Sequence, residues 1–300
     1  MKLILKLNYK LVLKIILVCC FWVFCFMFFV LVRNSSFPRR PLYSTPEDYG
    51  MEFEDVEFLT QDNFILKGWL ISNDMASPTI IICHGFGTNR SDVLVLADFL
   101  FDAGYNILLF DFRGHGESQG WYTSFGYQEK RDLQAAVDFL RDSQGLERKE
   151  FGVIGVSMGG SIAILVAAED QDIKAVVADS SYVDLDRSII RHTRFMLKVP
   201  FSGFLGRLAI LSYRLRFFTD SSKISPVKEI SQISSRPVMI ISGTKDPRMP
   251  PQDAEELYLH ARQPKELFLT VSAGHSESYW QDTKEYQRRV IDFFDKNLPR

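Results

Sequence analysis

The chain has 300 residues, 35 basic and 37 acidic side chains, a net charge of -2 and 46% hydrophobic residues. That balance leaves no broad basic surface for nucleic acid, and the apolar fraction is too high for a disordered chain. Cys19, Cys20 and Cys25 crowd the N-terminal segment and Cys83 stands alone, so the body has no disulfide framework.

The first element is apolar. Ile15 to Val32 are eighteen consecutive uncharged residues, which as a helix cover about 27 Å of a ~30 Å hydrocarbon core. Lys14 can snorkel, which extends the span back to Leu11. A cleaved signal peptide is the rival, but its apolar region is shorter and ends at a small-x-small site. This run is rich in Phe and leaves through Val32-Arg33-Asn34-Ser35, and Val18-Cys19 makes a poor lipoprotein box before Cys20. Lys2, Lys6, Lys10 and Lys14 precede the run, while Arg33, Arg39 and Arg40 follow it. The lysines favour a cytoplasmic N-terminus. The expectation is a membrane protein with a single pass: a stub, a signal anchor over about 11–32 and a linker within 1–40, then a catalytic domain over 41–300 on the non-cytoplasmic side. The triplets Asn34-Ser35-Ser36 and Asn89-Arg90-Ser91 are too common a pattern to carry weight.

Strands and helices then alternate. Met51 to Thr60 and Phe64 to Ser72 read as an antiparallel pair, and Thr79 to Cys83 as a buried third strand. His84-Gly85-Phe86-Gly87 follows as a loop, then a helix from Ser91 (its expected N-cap) to Ala103 and a strand from Asn106 to Phe110. The next stretch, Asp111 to Ser118, gathers Asp, Arg, His, Glu and Ser; its glycines favour a tight structural turn tied down by Asp111 and Arg113 over a chemical role for His115 or Glu117. Gln128 to Asp142 has helical periodicity, Phe151 to Val156 is a strand, and Gly160 to Ala168 a helix of small residues. Ile173 to Ala178, Pro237 to Ile241 and Leu267 to Val271 are further strands, and Thr283 to Asn297 closes the chain as an amphipathic helix.

The chemistry concentrates at strand ends. In Gly155-Val156-Ser157-Met158-Gly159, a serine on a strand-to-helix turn takes a strained conformation, and side chains two residues to either side would collide. A serine hydroxyl needs a positioned base, itself held by an acid. Asp246 and His275 each follow a strand, in the order serine, acid, histidine. Acyl chemistry also needs two backbone N–H donors for an oxyanion. Met158, after the serine, is one expected donor, and Phe86, in the loop after the third strand, is the other. The remaining histidines, His84, His115, His192 and His260, read as structural or solvated.

Together, the His84-to-Gly87 loop, the Asp111-to-Ser118 stretch, the Ser157 elbow, Gly243-Thr244-Lys245-Asp246 and Gly274-His275 resemble the α/β-hydrolase superfamily over about residues 45–298. More narrowly, the chain is similar to serine-aminopeptidase-like and Bem46-like membrane-anchored hydrolases. The resemblance implies an α/β fold with a mostly parallel central sheet flanked by helices. It also implies a Ser157–Asp246–His275 triad with Phe86 and Met158 at the oxyanion. Serine at the elbow, where dehalogenases and epoxide hydrolases carry aspartate, argues against their chemistry. No cysteine or histidine cluster has metal-ligand spacing, and neither G-x-G-x-x-G nor a P-loop occurs, so no metal or cofactor is expected.

Residues 182–223 form an insertion that reads as a small helical lid. Eight basic side chains there face three acidic ones, interleaved with Phe195, Phe201, Phe204, Phe217 and Phe218. Such a surface suits anionic headgroups or a lipophilic acyl substrate, or else a cap whose arginines stay solvated. The expected function is a serine hydrolase acting on carboxylic esters or thioesters, of a small molecule or a lipid-like substrate, through an acyl-enzyme. A serine peptidase and a non-catalytic membrane-tethered binding protein are the rivals.

Overall fold

The computed structural model describes residues 9–35, 39–143 and 150–298. Eight strands, β1 (Glu54–Leu59), β2 (Ile65–Ile71), β3 (Thr79–Cys83), β4 (Asn106–Phe110), β5 (Phe151–Val156), β6 (Ile173–Asp179), β7 (Val238–Gly243) and β8 (Lys265–Thr270), form one sheet. Their order is β1-β2-β4-β3-β5-β6-β7-β8. β2 is antiparallel to both β1 and β4, and every other neighbour is parallel. The expected mostly parallel sheet is the one observed.

The described helices are α1 (Tyr9–Ser35), α2 (Leu94–Asp102), α3 (Glu129–Asp142), α4 (Met158–Glu169), α5 (Leu185–Leu197) and α6 (Ser202–Phe217), then α7 (Pro226–Glu229), α8 (Pro251–His260), α9 (Ser278–Gln281) and α10 (Thr283–Asn297). They cover both faces of the sheet. Ile81, Leu108, Val153 and Ile240 pack with Leu133 of α3, Ile162 of α4 and Leu257 of α8. Their strand neighbours Ile80, Ile107, Ile154 and Met239 pack with Leu94 of α2 and Val290 and Phe294 of α10. Alternate residues of each strand thus enter opposite layers, which is why β3, β4 and β7 are apolar throughout.

Strands β3, β4 and β5 and helix α10 begin and end where the pattern predicts. The second helix differs. A 3-10 turn over Arg90–Val93 precedes α2, and its cap is Asn89, whose side chain accepts from the backbone N–H of Ser91. Asn89 also donates to the carbonyls of Arg40 and Pro41, 3.1 Å away in each case, so a buried capping residue occupies the triplet that resembled a glycosylation site.

α1 has 27 residues, about 40 Å of helix. Its Tyr9–Val30 stretch is long and apolar enough to cross a membrane. The stub lysines Lys2 and Lys6 lie outside the described residues. α5 and α6 pack on one another as a hairpin at Gly206, which sits so close to Ile190 that a Cβ there would lie 2.9 Å from the Ile190 Cα. The hairpin docks through Tyr213 and Phe217, which join Leu165, Tyr182 and Leu185 in a third apolar cluster.

Candidate active site

The β5–α4 turn aims Ser157. Its backbone has φ 55° and ψ -115°, a conformation that non-glycine residues rarely hold. Gly155 and Gly159 make it possible. A Cβ on Gly155 would overlap the Gly159 backbone, and one on Gly159 would overlap the carbonyls of Cys83 and His84. The Ser157 N–H donates to the Asp179 carbonyl at 2.8 Å, which hangs the turn on the end of β6.

Ser157, His275 and Asp246 meet at the C-terminal ends of β5, β8 and β7. Ser157 Oγ lies 3.0 Å from His275 Nε2. His275 Nδ1 donates to Asp246 Oδ2 at 2.6 Å, the tautomer that leaves Nε2 free to accept the serine proton. The other oxygen of Asp246 accepts from the backbone N–H groups of Arg248 (2.8 Å) and Met249 (2.9 Å). Asp246 is buried while Ser157 and His275 are half-buried, so the carboxylate is shielded and the Ser157 hydroxyl is open to a ligand. The His275 loop is held by Ser276 N–H donating to Ser180 Oγ at 3.1 Å and Gly274 N–H donating to Glu277 at 2.9 Å.

Met158 is the first residue of α4, where helical N–H groups have no partner within the helix. The loop bearing Phe86 runs beside the serine: a Cβ on Gly85 would lie 3.5 Å from the Ser157 Cβ. Phe86 packs against Phe125 with the rings tilted, centroids 5.0 Å apart. Two histidines brace this loop. His84 Nδ1 donates to the Gly85 carbonyl at 2.8 Å and its Nε2 accepts from Phe112 N–H at 3.0 Å. His115 Nε2 accepts from Gly87 N–H at 3.2 Å, while its Nδ1 donates to the Arg113 carbonyl. Both rings act as neutral braces, and burial pushes each pKa below the usual imidazole value.

Known proteins share this frame. The family described as alpha/beta hydrolase fold matches residues 78–209. The uncharacterized protein YqkD of Bacillus subtilis is 30% identical over 253 residues, covering 81% of this chain and 82% of that one. The chain belongs to the α/β-hydrolase family. Protein bem46 of Schizosaccharomyces pombe is 28% identical over 275 residues, covering 89% of this hydrolase and 85% of bem46. Among solved structures, the Pyrococcus furiosus esterase Pf2001 superposes with a TM-score of 0.74 at 31% identity, over 88% of this chain and 98% of that one.

Several residues that position this hydrolase's site escaped the sequence reading. Glu129 of α3 accepts from Thr123 Oγ1, Ser124 N–H, Ser124 Oγ and Gly126 N–H, all at 2.7–2.8 Å, and so fixes the loop that meets Phe86. Asp179, at the end of β6, is wholly buried and accepts from Ser180 Oγ (2.9 Å) and Tyr286 Oη (3.1 Å). Burial pushes its pKa up to about 6, against those two hydrogen bonds and the nearby His275. The Asp111-to-Ser118 stretch is indeed a tied turn. Buried Asp111 pairs with Arg90, which stacks on Trp69 at 4.3 Å, and Arg113 pairs with Asp62 and Asp132. For Asp111 and Asp179 the advance sign was a carboxylate at the end of an apolar strand, whereas Glu129 stands in a polar run that gave none.

Three of the insertion's eight basic side chains pair with carboxylates. Arg187 grips Glu256 through two 2.8 Å bonds, Arg191 pairs with Asp253, and Arg214 with Asp186 and Asp220. Arg191 also donates to the Arg248 carbonyl at 3.1 Å. α5 therefore buttresses the loop whose N–H groups hold Asp246.

Proposed function

We propose that this hydrolase cleaves carboxylic esters or thioesters through an acyl-enzyme, anchored to a membrane by α1. The observation that carries the reading is the hydrogen-bonded series from Ser157 Oγ through His275 to Asp246, at 3.0 and 2.6 Å, on a turn held at φ 55°. Ser157 Oγ attacks the acyl carbon while His275 Nε2 takes its proton, and Asp246 orients and stabilises the imidazolium. The carbonyl electron pair moves onto oxygen, where the N–H groups of Met158 and Phe86 receive the charge. Collapse of this intermediate expels the alcohol or thiol, which leaves with the His275 proton. Water then repeats the sequence on the acyl-serine, releases the acid and restores the serine hydroxyl.

The esterase name of the similar Pyrococcus furiosus protein supports the ester assignment over the amide one. The length and exposure of α1 support the anchor, and the lysines at its start support a catalytic domain on the non-cytoplasmic side. Fluorophosphonate labelling of the full chain, with the modified residue located by mass spectrometry, tests the chemistry. Adduct on Ser157 together with faster turnover of an ester than of its matched amide is expected. Amide preference would make the protein a peptidase, and folded protein that takes no label would leave a binding scaffold.

A further inference from the structure

Helix α6 carries an apolar face that the fold leaves uncovered. Ala209, Tyr213 and Phe217 are buried toward the body. On the opposite side Phe204, Leu208, Leu211 and Leu215 recur at alternating spacings of four and three, a single stripe along a helix, and Phe218 caps its C-terminal end. Phe204 is 53%, Leu211 47%, Leu215 50% and Phe218 93% exposed. A helix lying on a water-facing surface turns polar residues outward, whereas this one is apolar on both sides.

Its neighbour indicates what covers the stripe. α1, the proposed membrane span, packs against α6, and Met27 is buried although most of the apolar stretch of α1 is not. Met27 lies inside the uncharged run from Ile15 to Val32, so α6 meets the anchor within the segment assigned to hydrocarbon. The chain after α1 returns to the same side: Arg39 donates to the Gly116 and Gly120 carbonyls, in the loop that ends at the exposed Trp121. Next to it, Tyr122 packs on Phe217, centroids 5.8 Å apart. The exposed Arg207 stands at one margin of the stripe, where a guanidinium group can reach phosphates while its stem stays in the apolar layer.

We propose that α6 is an interfacial membrane helix. Its Phe204-to-Phe218 stripe lies in the acyl boundary of the leaflet next to the body, continuous with α1, and the site therefore draws lipophilic acyl esters from that leaflet. This rests on the reading of α1 as a span and, for the substrate, on the hydrolase reading.

The test uses the full chain in nanodiscs of phosphatidylcholine and phosphatidylglycerol, with the photo-crosslinker benzoylphenylalanine replacing Leu215, Phe218 or, as a control on α8, the exposed Leu259. Phospholipid adducts at 215 and 218 should exceed those at 259 by about tenfold or more, as expected when burial of each side chain favours lipid by over ~1.4 kcal/mol. Equal yields at the three positions, or adducts at 215 only to a second copy of the chain, overturn the proposal. Extraction of the same samples at high pH separates the causes. A chain washed from the bilayer removes the anchor reading and the proposal with it, while a retained chain without lipid adduct at 215 removes the interfacial helix alone. The double variant Leu215→Glu/Phe218→Glu should lose about tenfold in kcat/KM on a long-chain ester held in the nanodisc relative to a soluble short-chain ester. Equal change on both esters overturns the substrate route. Absence of turnover on any ester counts against the hydrolase reading and leaves the crosslinking result intact.

Discussion

The strand-end loops and the α5–α6 hairpin hold their side chains by different means. In the loops, backbone sterics set position: Gly155 and Gly159 admit the Ser157 turn, and Gly243 lets β7 approach the Ala273 carbonyl beside His275. Backbone N–H groups then fix Asp246. The hairpin instead rests on long-range side-chain contacts, Arg187 to Glu256, Arg191 to Asp253 and the Tyr213 hydroxyl to the Ser124 carbonyl at 2.6 Å. It leaves an apolar face open. Reacting atoms need placement within a fraction of an ångström, which rigid backbone supplies. The hairpin is constrained mainly at its points of attachment, which suits the lid role proposed for it.

Substitutions on the two sides should diverge. Ser157→Ala removes the proposed nucleophile from a turn that does not depend on its hydroxyl. Ester kcat/KM should fall by about 10⁴-fold or more with unfolding unchanged. Turnover retained in that variant would place the chemistry elsewhere. Asp111→Ala removes the buried one of Arg90's two carboxylate partners, leaving the exposed Glu117, and should cost about 3 kcal/mol in urea unfolding, although Asp111 lies outside the Ser157–His275–Asp246 series. A cost below ~1 kcal/mol would mean that Glu117 and water compensate Arg90 in the variant.

Gly159→Ala should cost about 3 kcal/mol or more, since the new methyl overlaps the Cys83 and His84 carbonyls. Gly203→Ala on α6 is the counterpart. There a Cβ meets only the movable end of the Arg194 side chain, at 3.1 Å, and stability should rise by about 0.5 kcal/mol. Equal penalties for these two alanines would erase the contrast between loops and hairpin.

Asp179 sharpens it with pH. Its pKa is about 6 in the fold against 3.8 as the ordinary value, so the native state holds a proton that the unfolded chain has released. The stability this group contributes is full below pH ~4 and is lost as pH rises through ~6. Asp179→Asn should therefore stabilise the protein by up to about 3 kcal/mol at pH 7 and by almost nothing at pH 4. The difference between the two melting profiles cancels the opposite trend of His84 and His115, which favour the folded state above the imidazole range. A pH-independent difference would refute the assignment. The smallest effect belongs to Arg187→Ala. Its partly exposed pair with Glu256 should contribute only about 0.5 kcal/mol, read as a shift in urea midpoint.

By itself, the sequence determined whatever depends on neighbours in the chain. Period and composition delimit β3, β4, β5 and α10, because alternation and amphipathicity are local properties. The elbow glycines are recognisable for the same reason, since each stands two residues from the serine. The order of strand-end residues then pointed to Ser157, Asp246 and His275, which the fold brings within hydrogen-bond reach. Only the tertiary structure decided the partners of the charges. Arg187 and Arg191 read as solvated or as facing lipid, whereas α8 presents Glu256 and Asp253 to them, more than sixty residues away in the chain. Asn89 took the cap expected of Ser91 because the linker carbonyls of Arg40 and Pro41 hold its side chain. The outward face of α6 could not be told from its inward one, since both are apolar and only packing against the body and α1 distinguishes them. Local sterics are written residue by residue, whereas a pairing across the chain depends on which surfaces the fold brings together.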